Sequence, residues 1–182
     1  MATGLLPVCF GEATKFSAFL LDADKGYTAT LRLGQTTTTF DTEGEIVNER
    51  PVEVSRVQLE AVLAQFIGPI QQLPPMYSAL KFQGKALYEY ARQGIEIERK
   101  TRDVVIHHIT LLAFTDDTVV LDVQCSKGTY IRSLAHDIGQ ALGCGAHLTA
   151  LRRTRTAGFA LDHALTLEQL AEIPFTERQA VL

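Results

Sequence analysis

The sequence has no tryptophan and only three cysteines, two methionines and six prolines among its 182 residues. Cys9, Cys125 and Cys144 are odd in number and far apart, so they define no disulfide framework and fit reduced thiols. No apolar run approaches the length of a membrane span, and residues 1–7 are too short and lack the basic flank of a signal peptide. A cytoplasmic protein with no membrane role is expected. Repeats and low-complexity tracts are absent, and so is the Gly-x-x-x-x-Gly-Lys-Ser/Thr spacing of a phosphate-cradling loop. The chain also lacks the cationic excess of a general nucleic-acid coat, since its net charge is −4.

What is present fits one well-cored domain: 46% apolar and 21% charged residues lie near globular averages. Charge is distributed unevenly. Lys127, Arg132, Arg152, Arg153 and Arg155 outnumber the acids Asp122 and Asp137 near them, whereas residues 41–60 are strongly acidic. A basic face on an acidic body suits one polyanion docked on one side.

The stretch from Cys125 to Arg132, Cys-Ser-Lys-Gly-Thr-Tyr-Ile-Arg, organises the rest. Alternation over residues 119–125 predicts a strand, and Ile131, Leu134, Ala135, Ile138 and Leu142 recur at helical spacing. Gly128 permits a sharp turn between them, and Lys127 adds charge beside the free N–H groups of the new helix. On that helix Arg132 and His136 flank the apolar stripe, with Tyr130 at its other border. Such junctions are common, and alone this one assigns no chemistry.

Elsewhere, residues 5–9 read as a short strand and residues 12–21 as a helix with Phe16, Phe19 and Leu20 on one side. Residues 27–33 alternate as a half-buried strand opened by Tyr27, and residues 35–44 read as a polar loop before a brief strand at Ile46 and Val47. Ser55 is a helix N-cap, and Gly68-Pro69 closes that helix. A strand is expected over residues 77–82, a short helix over 85–93, and two long strands over 104–114 and 118–125 joined by a polar hairpin turn. The organising helix stops at Gly143, a further strand covers residues 146–156 with Leu151 beside the arginine cluster, and a short helix covers 166–171. This irregular mixture predicts an α+β fold: a mixed, largely antiparallel sheet with flanking helices. Cys144-Gly-Ala-His147 has metal-like spacing, but His107-His108, the other concentrated candidate, lies in a strand-like run whose neighbours point to opposite faces. No metal is therefore assigned.

Several segments together resemble the bacterial tRNA pseudouridine-55 synthase (TruB) family. They are Ala2-Thr-Gly-Leu-Leu-Pro-Val, Gly11-Glu-Ala-Thr-Lys-Phe16, Asp24-Lys-Gly-Tyr27, Met76-Tyr-Ser-Ala-Leu-Lys81, Leu87-Tyr-Glu-Tyr-Ala-Arg-Gln-Gly94, Cys125 to Arg132, and Gly143-Cys-Gly-Ala-His-Leu-Thr-Ala-Leu-Arg-Arg153. The resemblance implies an enzyme that flips the T-loop uridine of tRNA out of its stack, breaks the glycosidic bond and rejoins the base through carbon, without metal or organic cofactor. It implies that Tyr27 stacks on the flipped base and assists proton removal, that Tyr130 contacts substrate, that Leu151 lines the pocket, and that Arg132 pairs with the catalytic aspartate. Arg152, Arg153 and Arg155 would hold backbone phosphates of the T-stem-loop, and Lys127 would join the substrate-binding residues.

In the family pattern that aspartate lies in a Gly-x-Leu-Asp-Pro segment just before Ala-Thr-Gly, and here only Met1 precedes Ala2. Residues 1–182 are accordingly expected to be a partial catalytic domain lacking the C-terminal RNA-binding extension. The chain should be monomeric and inactive alone, with no substitute nucleophile at Asp22, Asp24 or Asp137. Arg132, deprived of its partner, would be a buried cation whose replacement by leucine stabilises the chain. The competing reading is a non-catalytic tRNA-binding or RNA-folding module using the same aromatic and cationic residues, and a weaker one is a zinc protein built on Cys144 and His147.

Overall fold

The computed structural model describes residues 2–174. In chain order it contains β1 (Ala2–Gly4), a 3-10 helix (Gly11–Phe16), α1 (Ser17–Asp22), β2 (Lys25–Leu33), β3 (Gln35–Thr37), β4 (Ile46–Glu49) and α2 (Arg56–Gln65). These are followed by β5 (Gly68–Gln72), β6 (Lys81–Phe82), β7 (Lys85–Ala86), α3 (Leu87–Ala91), β8 (Arg102–Thr115) and β9 (Thr118–Cys125). Last come α4 (Ile131–Ala141), β10 (Ala146–Thr156), β11 (Phe159–Ala160), a 3-10 turn (Leu161–His163) and α5 (Leu167–Glu172). The main sheet runs β1-β10-β2-β9-β8-β5, with β11 on β10; β1 lies parallel to β10, and every other pairing is antiparallel. This is the α+β, mixed and largely antiparallel sheet that the sequence pattern predicts.

One face of the sheet carries Ala29, Leu31, Leu121 and Val123, and α4 lays Ile131, Leu134, Ala135 and Ile138 against it. Alternation in β2 and β9 and the 3.6-residue period of α4 therefore converge on one core, to which α2 adds Leu59 and Leu63. Ser55 caps α2 as expected: its Oγ accepts from the Gln58 N–H, and the Gln58 side chain accepts from the Ser55 N–H. Gly139 lets α4 cross β10 closely, because a Cβ there would lie 2.1 Å from the Ala146 nitrogen.

Several sequence expectations are corrected. The first strand is Ala2–Gly4, not residues 5–9. Gly4 adopts φ +93°, the chain leaves the sheet after Leu5 bonds to Arg153, and Leu6 and Val8 are exposed. Residues 12–21 begin as a 3-10 helix, and Phe16 and Phe19 stack on each other while remaining exposed. The threonine run read as loop forms β3, which pairs with β4. Gly68–Gln72, read only as a helix stop and an extended approach, is an edge strand where Pro69 is tolerated. Of residues 77–82 only Lys81 and Phe82 form a strand, because the Ser78 N–H bonds to Met76 O and the Ser78 and Leu80 carbonyls receive the N–H groups of Tyr88 and Leu87. No helix among the described residues is long and apolar enough to cross a membrane.

Candidate functional site

Strands β2, β9 and β10 and the first turn of α4 gather most of the expected site residues at one end of the sheet. Tyr27 pairs across the sheet with Val123 on β9 and Arg153 on β10, and Leu151 pairs with Ala29 two residues further along β2. Tyr27 and Leu151 thus share the face that α4 covers, and both are half-buried against the core. Burial pushes the Tyr27 phenol up; Cys125 adds to the shift, and the charge and hydrogen bond of Arg153 pull against it. The phenol is therefore protonated at neutral pH, which suits stacking and hydrogen-bond donation.

The junction before α4 is held by its neighbours. Gln72, almost fully buried, pairs with the Tyr130 backbone as another strand would: its Oε1 accepts from the Tyr130 N–H at 2.7 Å, and its Nε2 donates to the Tyr130 carbonyl at 3.1 Å. Ser133 Oγ donates to Leu73 O at 3.0 Å, and Thr129 Oγ1 donates to Ser126 O. Tyr130 is thereby fixed as the residue preceding the first helical turn. Lys127 is exposed and paired with Asp22 at 2.9 Å.

Arg132 is not a lone cation, which overturns the expectation from the sequence. Its Nη1 donates to Asp41 Oδ2 at 2.9 Å and its Nη2 to the Tyr77 carbonyl at 2.6 Å. Asp41 is buried and its other carboxylate oxygen is also engaged: Oδ1 accepts from Thr39 Oγ1 at 2.5 Å and from the Glu43 N–H at 3.0 Å. Thr37 Oγ1 meanwhile donates to the Asp41 carbonyl. So complete a set of donors keeps the carboxylate oriented toward Arg132 and withholds it from nucleophilic work. The sequence offered one signal for Asp41, a threonine-rich loop able to saturate a carboxylate, but its partner lies 91 residues away.

The arginines of β10 separate. Arg152 and Arg155 are exposed, whereas Arg153 is half-buried with its Nε donating to Leu5 O at 2.6 Å, tying the chain after β1 to the strand that borders Tyr27. Cys125 is buried, and burial pushes its thiol up to about 11, so it is a packing residue. The Cys144 thiol donates to Gly145 O, and His147 Nδ1 lies 3.2 Å from Gln35 O. Among the described residues, no group of three or more side chains is placed to hold a metal ion.

The family model described as TruB family pseudouridylate synthase (N terminal domain) matches residues 1–131. The chain belongs to the TruB family. A second model, tRNA pseudouridylate synthase B C-terminal domain, matches residues 132–181 of this TruB-family chain. The boundary falls inside the first turn of α4, and β10 from the second range lies between β1 and β2 from the first, so the sheet runs across it. Among curated relatives, tRNA pseudouridine synthase B of Chromobacterium violaceum is 63% identical and that of Methylobacillus flagellatus 60% identical, each over the whole chain and 60% of the relative. The TruB-family chain thus spans three-fifths of those relatives' length. Among solved structures, a Cbf5-Nop10-Gar1 complex matches with TM-score 0.74 and 30% identity over 100% of this chain and 45% of that one. An H/ACA RNP bound to a substrate RNA containing 2'-deoxyuridine matches with TM-score 0.69 and 27% identity, covering 100% and 44%.

Proposed function

We propose that these residues form the uridine-recognising and orienting part of a tRNA pseudouridine(55) synthase, within one partial catalytic domain that spans residues 1–182. The supporting observation is that the Asp41–Arg132 ion pair, held also by Tyr77 O, stands on the first turn of α4 at the sheet end that carries Tyr27 and Leu151. The relatives' names support tRNA as the substrate.

Extruding a uridine costs a few kcal/mol of stacking, which a neutral Tyr27 ring restores in part inside the pocket, with Leu151 excluding water beside it. Tyr130, whose backbone Gln72 immobilises beside the first turn of α4, would contact the substrate with its ring. Arg132 then offers a guanidinium already oriented by Asp41 to the carboxylate that opens the glycosidic bond, keeping it ionised and aimed. On the family pattern that carboxylate sits in the Gly-x-Leu-Asp-Pro segment preceding Ala2. The exposure of Arg152, Arg155 and Lys127 supports a role for them in meeting T-stem-loop phosphates, whereas Arg153 bonds inside the protein. We place the reaction in the cytoplasm, on a monomer, with side chains as the sole catalysts.

Tritium release from tRNA labelled at uridine C5 tests this reading with two proteins. One is the chain of 182 residues; the other is the same chain preceded by the N-terminal segment of the Chromobacterium violaceum relative. We expect salt-sensitive T-arm binding by both and release only by the extended chain. Release by the short chain would overturn the placement of the nucleophile, and binding without release by the folded, extended chain would favour a non-catalytic RNA-binding module.

A further inference from the structure

Phe40 holds a conformation that L residues avoid, with φ 63°, and it immediately precedes Asp41. A glycine would adopt this backbone without strain, so the benzyl group must offset a backbone cost. Its ring lies on the imidazole of His136, with centroids 4.0 Å apart and planes 19° apart. His136 follows Arg132 by one helical turn on α4. Two successive loop residues, Phe40 and Asp41, therefore engage two residues one turn apart on the same helix, His136 by stacking and Arg132 by charge. The backbone fixes the rest of the loop: Phe40 N–H donates to Thr37 O at 3.2 Å, Phe40 O accepts from Leu148 N–H at 3.0 Å, and Asp41 bridges to Leu148.

The imidazole edge is held at one nitrogen only. Its Nε2 lies 3.3 Å from the Gln140 amide nitrogen, a donor, so Nε2 is the acceptor and the hydrogen of the neutral ring sits on Nδ1. Nδ1 is buried with no partner among the described residues. Burial also pushes the His136 pKa down, so the ring that meets Phe40 is neutral. A strained aromatic residue and a histidine with an unanswered buried N–H are each unfavourable locally, and both occur one residue or one turn from the ion pair.

We propose that Phe40 and His136 are positioning residues, a stacked clamp that locks the loop over residues 38–44 onto α4 so that Asp41 holds Arg132 in the orientation the uridine site requires. This rests on the proposed function for its catalytic meaning, but the clamp itself is a property of these residues. Without the stack the loop loses one of its side-chain attachments to α4, and Arg132 can follow a wandering carboxylate.

Nuclear magnetic resonance of the Arg132 guanidinium in the 182-residue chain tests the clamp independently of activity. Slow rotation about Cζ–Nη is expected in the parent, fast rotation in Phe40→Gly and His136→Ala, and slow rotation again in His136→Phe, which keeps a stack without the imidazole. Unchanged rotation in Phe40→Gly would overturn the clamp. In the extended chain at saturating tRNA, Phe40→Gly and His136→Ala should each lower the single-turnover rate about tenfold while tRNA affinity stays within about twofold. Phe40→Gly should melt no lower than about the parent, because relief of backbone strain offsets the lost ring, and His136→Phe should restore most of the rate. A rate loss accompanied by an equal loss of tRNA binding, or failure of His136→Phe to rescue, would sink the positioning role. If the extended parent releases no tritium, the proposed function fails and the rotation measurement still decides the clamp.

Discussion

Asp41 has all of its carboxylate oxygens occupied inside the protein, by Thr39 and the Glu43 N–H on one side and Arg132 on the other. Removing either member of the ion pair leaves the other with a desolvated charge. Asp41→Ala and Arg132→Leu should each destabilise the chain by about 2–4 kcal/mol, below the upper end for buried pairs because Arg132 keeps 24% of its side-chain surface exposed. This reverses the expectation drawn from the sequence, which left Arg132 unpartnered. Chemical denaturation of both single variants and the double variant checks it: a double variant no less stable than either single would show the coupling, and simple additivity would refute it. Asp137 behaves in the opposite sense. Burial raises its carboxyl from 3.8 to about 6, so between those values the folded chain binds more protons than the unfolded one and stability falls as pH rises. Asp137→Asn should therefore gain roughly 1–3 kcal/mol near pH 7 and nothing below about pH 4. A gain that is the same across that range would mean that ionisation of Asp137 is not the cause.

At the scale of elements, α4 is both the main core helix and the carrier of Arg132, so its seat on the sheet sets the site. Gly139 makes that seat possible: a methyl group there would lie 2.1 Å from Ala146 N, 2.4 Å from Gly145 C and 2.6 Å from Ala146 Cβ. Glycine to alanine inside a helix normally stabilises by about 1 kcal/mol; here backbone cannot yield, and Gly139→Ala should cost about 2–3 kcal/mol net. A melting temperature equal to or above the parent's would refute this contact. The same elements show what sequence alone makes legible. β9, α4 and β10 follow from alternation and helical period because each buries one face continuously, and Ser55 announces α2 through a local hydrogen bond. Tyr27, Tyr130 and Leu151 sit on or beside those readable elements. Asp41, Gln72 and the Phe40–His136 stack were invisible because their partners are distant in the chain and their own segments read as polar loop or proline-set approach. Residues 5–9 misled for the opposite reason: an apolar run without a neighbouring strand gains nothing from being extended.

Across the whole molecule, a chain of net charge −4 must confine its attraction for an RNA backbone to one side. The structure divides its cations by what already binds them. Arg132 belongs to Asp41 and Arg153 to Leu5 O, whereas Arg152 and Arg155 are exposed on β10, beside β2, the strand that carries Tyr27. An arginine that neutralises a phosphate releases a counterion, so its loss lowers the salt dependence of binding; an arginine hydrogen-bonded within the protein should change stability instead. Arg152→Gln and Arg155→Gln should each reduce the slope of log K against log salt for a T-arm hairpin by about 0.7–0.9, with little change in melting temperature. Arg153→Gln should leave the slope nearly unchanged and lower the melting temperature, because β10, the strand paired with Tyr27, loses its tie to the segment that follows β1. Fluorescence titration at several salt concentrations, paired with thermal melts of the same four proteins, separates the two behaviours. If Arg153→Gln alone flattened the slope, the phosphate contact would belong to Arg153 beside Tyr27, and exposed Arg152 and Arg155 would take no part in holding the backbone.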